Sequence, residues 1–340
     1  MGSDDGVEPS TGPGSNGAGS PSASHATSTA SGSGVAASGS SVASSGSGSG
    51  GAGGIGGNGS GGSGGIGGNG CYTEGYNPNA ALADLENGYS SKNWLATMLS
   101  TLDRRYHNGW VVLDAMKGDP WLTNDLPDYY SMSSWDGMME AVDTACHEET
   151  HGYDFEQALG LSGKHLFFMG ENLEVIAPKL EFFPRDEILA AVTQGGSVTD
   201  NYDSTYLTGE QGTYDFIFLA DELTAYINGL ACAVSVVDQL QSTASYRDGV
   251  AAHLLYLQIY LRIARQNYPA FYSQWKANPA WQKFVRFSWA RGNFWTAVAA
   301  PHAKLGIDDA AIWQRIQQPQ NLAEIKEFTG DEANVVACTP

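Results

Sequence analysis

From Asn93 onward, apolar residues recur at helical spacing: Trp94, Leu95, Met98, Leu99 and Leu102 form one stripe, which stops near Asn108-Gly109. A second short helix is predicted over 111–116. Residues 117–133, with Gly118, Pro120 and Pro127, read as an irregular connection. The next helix is predicted from Ser134 through His151, with Ser133 or Ser134 as its N-cap. After Gly152 the pattern changes, and 164–169 and 173–176 flank Gly170-Glu171-Asn172 as two strands around a turn. A short helix should follow Pro184. The stretch 194–213, rich in Gly, Ser, Thr, Asp and Tyr, reads as a loop. Helical patterns then cover 214–240, 246–267 and 280–299, with two short helices near 308–316 and 321–328. The expected fold is mainly α (α+β), a helical domain with a small β-hairpin. The aromatic positions Trp281, Phe284, Phe287, Trp289 and Trp295 read as core, in preference to a carbohydrate or peptide platform.

No such pattern precedes residue 71. Residues 1–70 hold 25 of the 43 Gly and 18 Ser, with no aromatic residue, no Lys or Arg, and only Asp4, Asp5 and Glu8 as acids. So little apolar surface cannot offset the entropy of ordering the backbone, so this segment is predicted to be a disordered tether. Its repeat, Gly53–Gly59 recurring as Gly64–Gly70, looks like linker expansion. Residues 71–340 are then one folded domain carrying all 37 aromatics and 34 of the 37 acids against 17 basic residues. Such a deficit of Lys and Arg argues against nucleic acid or an anionic membrane as partner. The chain shows no run of about 20 apolar residues, so no membrane span is expected. A Gly/Ser tether ahead of a domain resembles mature bacterial lipoproteins. That resemblance implies an export signal or lipid anchor at the N-terminus and an extracellular, cell-surface or periplasmic location, and a monomer is expected. Cys71 and Cys338, at the two ends of the folded segment, are placed to form a disulfide, whereas Cys146 and Cys232, inside predicted helices, read as small core thiols.

The chemistry concentrates at His147-Glu148-Glu149-Thr150-His151, which fits H-E-x-x-H; a chain of this composition should contain such a match by chance only about 0.016 times. Histidines four apart lie about 40° apart around a helix and can point at one metal ion, with Glu148 about 100° further on. Met138, Val142 and Ala145 fall opposite the histidines, while Glu140, Asp143 and Thr144 fall beside them, lining a cleft.

These residues resemble the zincin metallopeptidases. The metzincin extension is excluded because Asp154 and Gln157 stand where Gly and His are required. The gluzincin arrangement takes a Glu from a later helix, and Glu222 in Asp221-Glu222-Leu223-Thr224-Ala225-Tyr226 is the best candidate, with Asp215, Glu187 and His165 as competitors. Phe218, Tyr226 and Gly229 share a helical face with Glu222, and Gly229 would let this helix approach the first closely. The gap of 71 residues between His151 and Glu222 is longer than in the best-known gluzincins. Met169-Gly170-Glu171-Asn172 is similar to an aminopeptidase substrate motif, but it lies on the wrong side of the zinc helix.

The resemblance implies Zn²⁺ held by His147, His151 and Glu222 with one position left for water, and Glu148 as general base in hydrolysis of a peptide or protein substrate. The oxyanion donor is assigned first to Tyr206, with Tyr202, Tyr226 and His165 as alternatives. Asp143, one turn before His147, is placed to orient its ring. The competing reading is a surface-displayed binding or structural module with a structural or degenerate zinc site, which a fourth ligand such as His165 or Asp215 would favour.

Overall fold

A computed structural model describes residues 64–67 and 71–331. Most of the Gly/Ser-rich segment and Cys338 lie outside the described residues. Within them β1 (Gly65–Ile66) pairs antiparallel with β2 (Tyr72–Thr73), so two residues of the segment read as tether belong to the folded part. The chain continues through α1 (Ala83–Asn87), α2 (Trp94–Arg105), α3 (His107–Ala115), a π-helical turn (Trp121–Asp125), α4 (Leu126–Tyr129), α5 (Trp135–Glu140) and α6 (Val142–Ala158). The hairpin β3 (Lys164–Phe168) and β4 (Glu174–Pro178) follows, then a 3₁₀ turn (Arg185–Ile188), α7 (Leu189–Val192), α8 (Asp200–Tyr206) and α9 (Gly209–Gly212). The C-terminal part comprises α10 (Phe216–Ser235), α11 (Tyr246–Asn267), α12 (Pro269–Lys276), α13 (Pro279–Ala299), a 3₁₀ turn (Ala303–Leu305), α14 (Asp309–Ile316) and α15 (Pro319–Thr329). The described chain is mainly α with two small antiparallel sheets of two strands each.

The hairpin forms where the alternation predicts it, in the register Lys164↔Pro178 to Phe168↔Glu174. Its turn uses Gly170 at φ 143° and Asn172 at φ 59°, values that Gly and Asn tolerate best. Elsewhere the elements differ from the expectation. The helix predicted over 134–151 is two: Ser134 Oγ accepts from Gly137 N (3.1 Å) to cap α5, Ala141 breaks the run, and α6 continues past Gly152 to Ala158. The stretch 194–213 contains α8 and α9. Asp203 orders it by accepting from Thr199 Oγ1 (2.7 Å), Ser197 Oγ (2.5 Å) and Tyr256 OH (2.6 Å), a polar network that leaves no hydrophobic period.

Helix α10 forms the middle of the fold, packed on α6, α11 and α13 and buried on nearly every side from Leu219 to Ser235. By length and composition it is apolar enough to cross a membrane, although Asp221, Glu222 and Asn228 interrupt its apolar residues. Here 72% of its apolar window is buried against the rest of the protein. The thiols expected at Cys146 and Cys232 are instead joined in a disulfide that ties α6 to α10, with Cα atoms 6.5 Å apart. The two side chains are placed for it because the helices that carry them are in direct contact. Cys71 is also disulfide-bonded, and its expected partner Cys338 lies outside the described residues.

The segment after Cys71 is anchored by a buried ionic network. Glu74 accepts from Arg291 Nε (2.8 Å) and Nη2 (3.0 Å), Tyr72 OH (2.9 Å), Tyr106 OH (2.6 Å), Asn108 Nδ2 (2.5 Å) and Trp295 Nε1 (2.8 Å). Burial would raise the Glu74 pKa, but the Arg291 charge and these donors hold it below the usual glutamate value.

Candidate metal centre

The site is built on the contact between α6 and α10. Val142 and Ala145 turn one face of α6 into the core, together with Met138 from α5, and this leaves the face with His147 and His151 only partly covered. On α10, Asp215 starts the helix by accepting from Ile217 N (2.9 Å), so its carboxylate acts as an N-cap. Seven residues later Glu222 faces the histidines. The approach is close because of Gly229: a Cβ there would lie 3.2 Å from the Asp143 carbonyl oxygen and 3.3 Å from His147 Cβ.

Three donor atoms converge. His147 Nε2 and His151 Nε2 are 3.3 Å apart, and Glu222 Oε2 lies 3.6 Å and 3.8 Å from them. Donors at the usual distances from a tetrahedral zinc ion, about 2.0–2.1 Å, stand roughly 3.3–3.4 Å from one another, so the triangle is close to what such an ion requires. Two further observations agree. Among the described residues the buried Glu222 Oε2 has no hydrogen-bond partner, a costly condition for a carboxylate oxygen. His151 Nδ1 donates to Asp221 Oδ2 (2.7 Å), which leaves Nε2 as the ring nitrogen that faces the other two donors.

The electrostatics favour a cation. Burial opposes charge on His151, but Asp221, Glu222 and Glu148 outweigh it and push its pKa up to about 10. Burial likewise opposes ionisation of Glu222, yet the His147 and His151 imidazoles hold its pKa at about 2. Glu148 follows His147 on α6, about 100° further round the helix, and is partly exposed.

The other expected residues are placed as follows. Tyr206, from α8, meets Tyr226 of α10 hydroxyl to hydroxyl (2.8 Å), and the Tyr226 ring packs edge-on against His147 at 4.6 Å. Burial raises both phenols far above the usual tyrosine value, so both stay protonated and one hydroxyl hydrogen of the pair remains free to donate. Tyr202 donates to the Ser245 carbonyl (3.1 Å). His165 sits on β3, outside the three-donor cluster, and burial and Lys179 lower its pKa to about 4. Glu187 accepts from Tyr268 OH, and Glu171 faces His107 at 3.6 Å. Glu140 does not line the cleft: it sits on α5, before the break, and accepts from the backbone N–H of Gln241 and Ser242. Asp143 is held by Thr144 and Tyr246 and makes no bond to His147. The carboxylate that orients an imidazole is Asp221, for which the only sequence signal is its place next to Glu222. His253, fully buried with Nδ1 bonded to the Gly249 carbonyl oxygen and its ring stacked on Tyr226 at 4.8 Å, is a second residue missed.

Among the described residues, His147, His151 and Glu222 are the one group of metal-ligand side chains whose donor atoms converge in this way. No family model, curated protein or solved structure matches the chain.

Proposed function

We propose that this protein is a zinc-dependent metallopeptidase. The observation that carries the reading is the convergence of His147 Nε2, His151 Nε2 and Glu222 Oε2 within 3.3–3.8 Å, with Glu148 on the same helix. When bound by these three side chains, zinc supplies Lewis acidity, which acidifies water and polarises a carbonyl. Asp221 fixes the His151 tautomer. Glu148 takes the proton of the attacking water on its carboxylate and passes it to the leaving nitrogen. The Tyr206–Tyr226 hydroxyl pair directs its free hydrogen at the negative charge that develops on the substrate oxygen. Three protein ligands, with His165 and Asp215 elsewhere, support a catalytic site over a closed structural one. A disulfide inside the domain supports an exported, oxidising location, with the Gly/Ser-rich segment as a tether.

Glu148→Gln is the test. The variant should bind zinc like the parent and lose hydrolysis of a peptide library by several orders of magnitude, read by mass spectrometry. Retained cleavage would refute the assigned base.

A further inference from the structure

Three arginines are buried in the described structure. Arg291 faces Glu74 and Arg105 faces Asp238, as a desolvated guanidinium requires. The third, Arg185, is 1% exposed, and no carboxylate of the described residues lies within ion-pair distance of it. Its Nε and Nη2 donate to the neutral carbonyl and side-chain oxygens of Gln211 (2.8 and 2.5 Å), while its Cζ lies over the rings of Tyr206 (5.5 Å) and Tyr214 (5.7 Å). Cation–π contacts offset only part of the cost of burying a charge without a counter-charge.

The place of this cation is informative. From Arg185 the Tyr206 ring leads to the Tyr226 ring at 6.3 Å and on to His147 at 4.6 Å. On the other side Tyr214 stacks on Phe218 at 4.6 Å. Phe218 is 48% exposed and lies one helical turn before Glu222. A line of rings therefore runs from solvent to the metal ligands, with the Arg185 guanidinium joining its two halves between Tyr214 and Tyr206. The carboxylate whose charge acts most on Arg185 is Glu222, which a bound metal ion would neutralise.

We infer that Arg185 is a specificity residue that receives a substrate carboxylate, either the free C-terminus of a short peptide or an Asp or Glu side chain. At roughly 3.4 Å per extended residue, that carboxylate lies within a few residues of the bond that is cut. The inference rests on the peptidase reading for what is cleaved, but not for what is bound. Guanidinium–carboxylate pairing in a desolvated site is strong and directional, whereas a neutral amide in its place leaves the charge unpaired.

The test is calorimetric binding to the Glu148→Gln protein, metal-free and zinc-loaded, with zinc content measured alongside. The probes are N-acetyl-Phe-Phe as acid and as amide, and N-acetyl-Phe-Asp-amide against N-acetyl-Phe-Asn-amide. One of the two carboxylate probes should bind at least tenfold tighter than its neutral partner, and the pair that responds identifies the source. Adding Arg185→Gln should bring that ratio to about one and leave the neutral probe within twofold, while Arg185→Lys should keep part of the preference. Equal binding of acid and neutral probes to the Arg185 protein overturns the inference without any variant. So does a preference that survives Arg185→Gln, or one seen only with zinc and unaffected by Arg185, since the metal would then be the receptor. A carboxylate preference in a protein that takes up no zinc would sink the peptidase reading alone. Zinc uptake without the preference would sink this inference alone.

Discussion

Replacing Gly229 with Ala separates the stability of the fold from the geometry of the site. The added Cβ would lie 3.2 Å from the Asp143 carbonyl oxygen and 3.3 Å from His147 Cβ. Neither atom can swing aside, because one is α6 backbone and the other is one bond from it, so α6 and α10 must separate by a few tenths of an ångström. For stability, two terms oppose: Ala is better than Gly in a helix interior by about 1 kcal/mol, and overpacking costs about 1–3 kcal/mol. The net loss should be about 0–2 kcal/mol, which leaves the protein folded. Zinc affinity should respond more strongly. Glu222 Oε2 already stands 3.6 and 3.8 Å from the imidazole nitrogens, beyond the roughly 3.4 Å of a tetrahedral set, and the separation lengthens both distances. The expected weakening is about 10–100-fold, the size seen when the support of a ligand is disturbed. Competition for zinc against a chromogenic chelator, paired with a denaturant titration, reads both quantities. Unchanged zinc affinity in a folded Gly229→Ala protein would refute the reasoning.

Other expectations follow from the same geometry. Asp221→Asn removes the carboxylate that orients His151 and should weaken zinc about 10–100-fold with little change in the denaturant midpoint; equal affinity in the chelator assay would contradict that role. Glu74→Gln leaves Arg291 buried beside a neutral partner and should destabilise by about 3–5 kcal/mol at neutral pH. Because the folded-state pKa of Glu74 lies below its unfolded value, its contribution is complete above about pH 4.5 and is lost as pH falls through the folded pKa. The gap between parent and variant in urea titrations should therefore shrink on acidification, and a constant gap would be evidence against the ion pair. Replacing both Cys146 and Cys232 by Ser opens a link across 86 residues, which chain entropy values at about 4.5 kcal/mol. An unchanged denaturation midpoint would argue against this bond.

The long helices were legible because their apolar stripes are driven by burial: Tyr246–Asn267 coincides with its pattern, and the hairpin follows its alternation. Helices α8 and α9 were not, because they are held by Asp203 and its hydroxyl donors, which have no period. The metal-ligand candidates on α6 were visible in five consecutive residues, and Glu222 through the gluzincin resemblance, with Gly229 on the same helical face as support. Asp221, Arg185 and the Cys146–Cys232 pair act through neighbours 26 to 86 residues away, and only the folded chain brings those together. The break at Ala141 moved Glu140 off the cleft because a single helical wheel over 134–151 assumed a helix that is in fact two.

The most direct test of the central claim is the zinc content of the purified protein, with X-ray absorption at the zinc edge to identify its ligands. The account predicts one zinc per chain, bound by two imidazole nitrogens and one carboxylate, and lost when His147 and His151 are replaced by Ala. Absence of stoichiometric zinc, or zinc retained undiminished in that double variant, would contradict it.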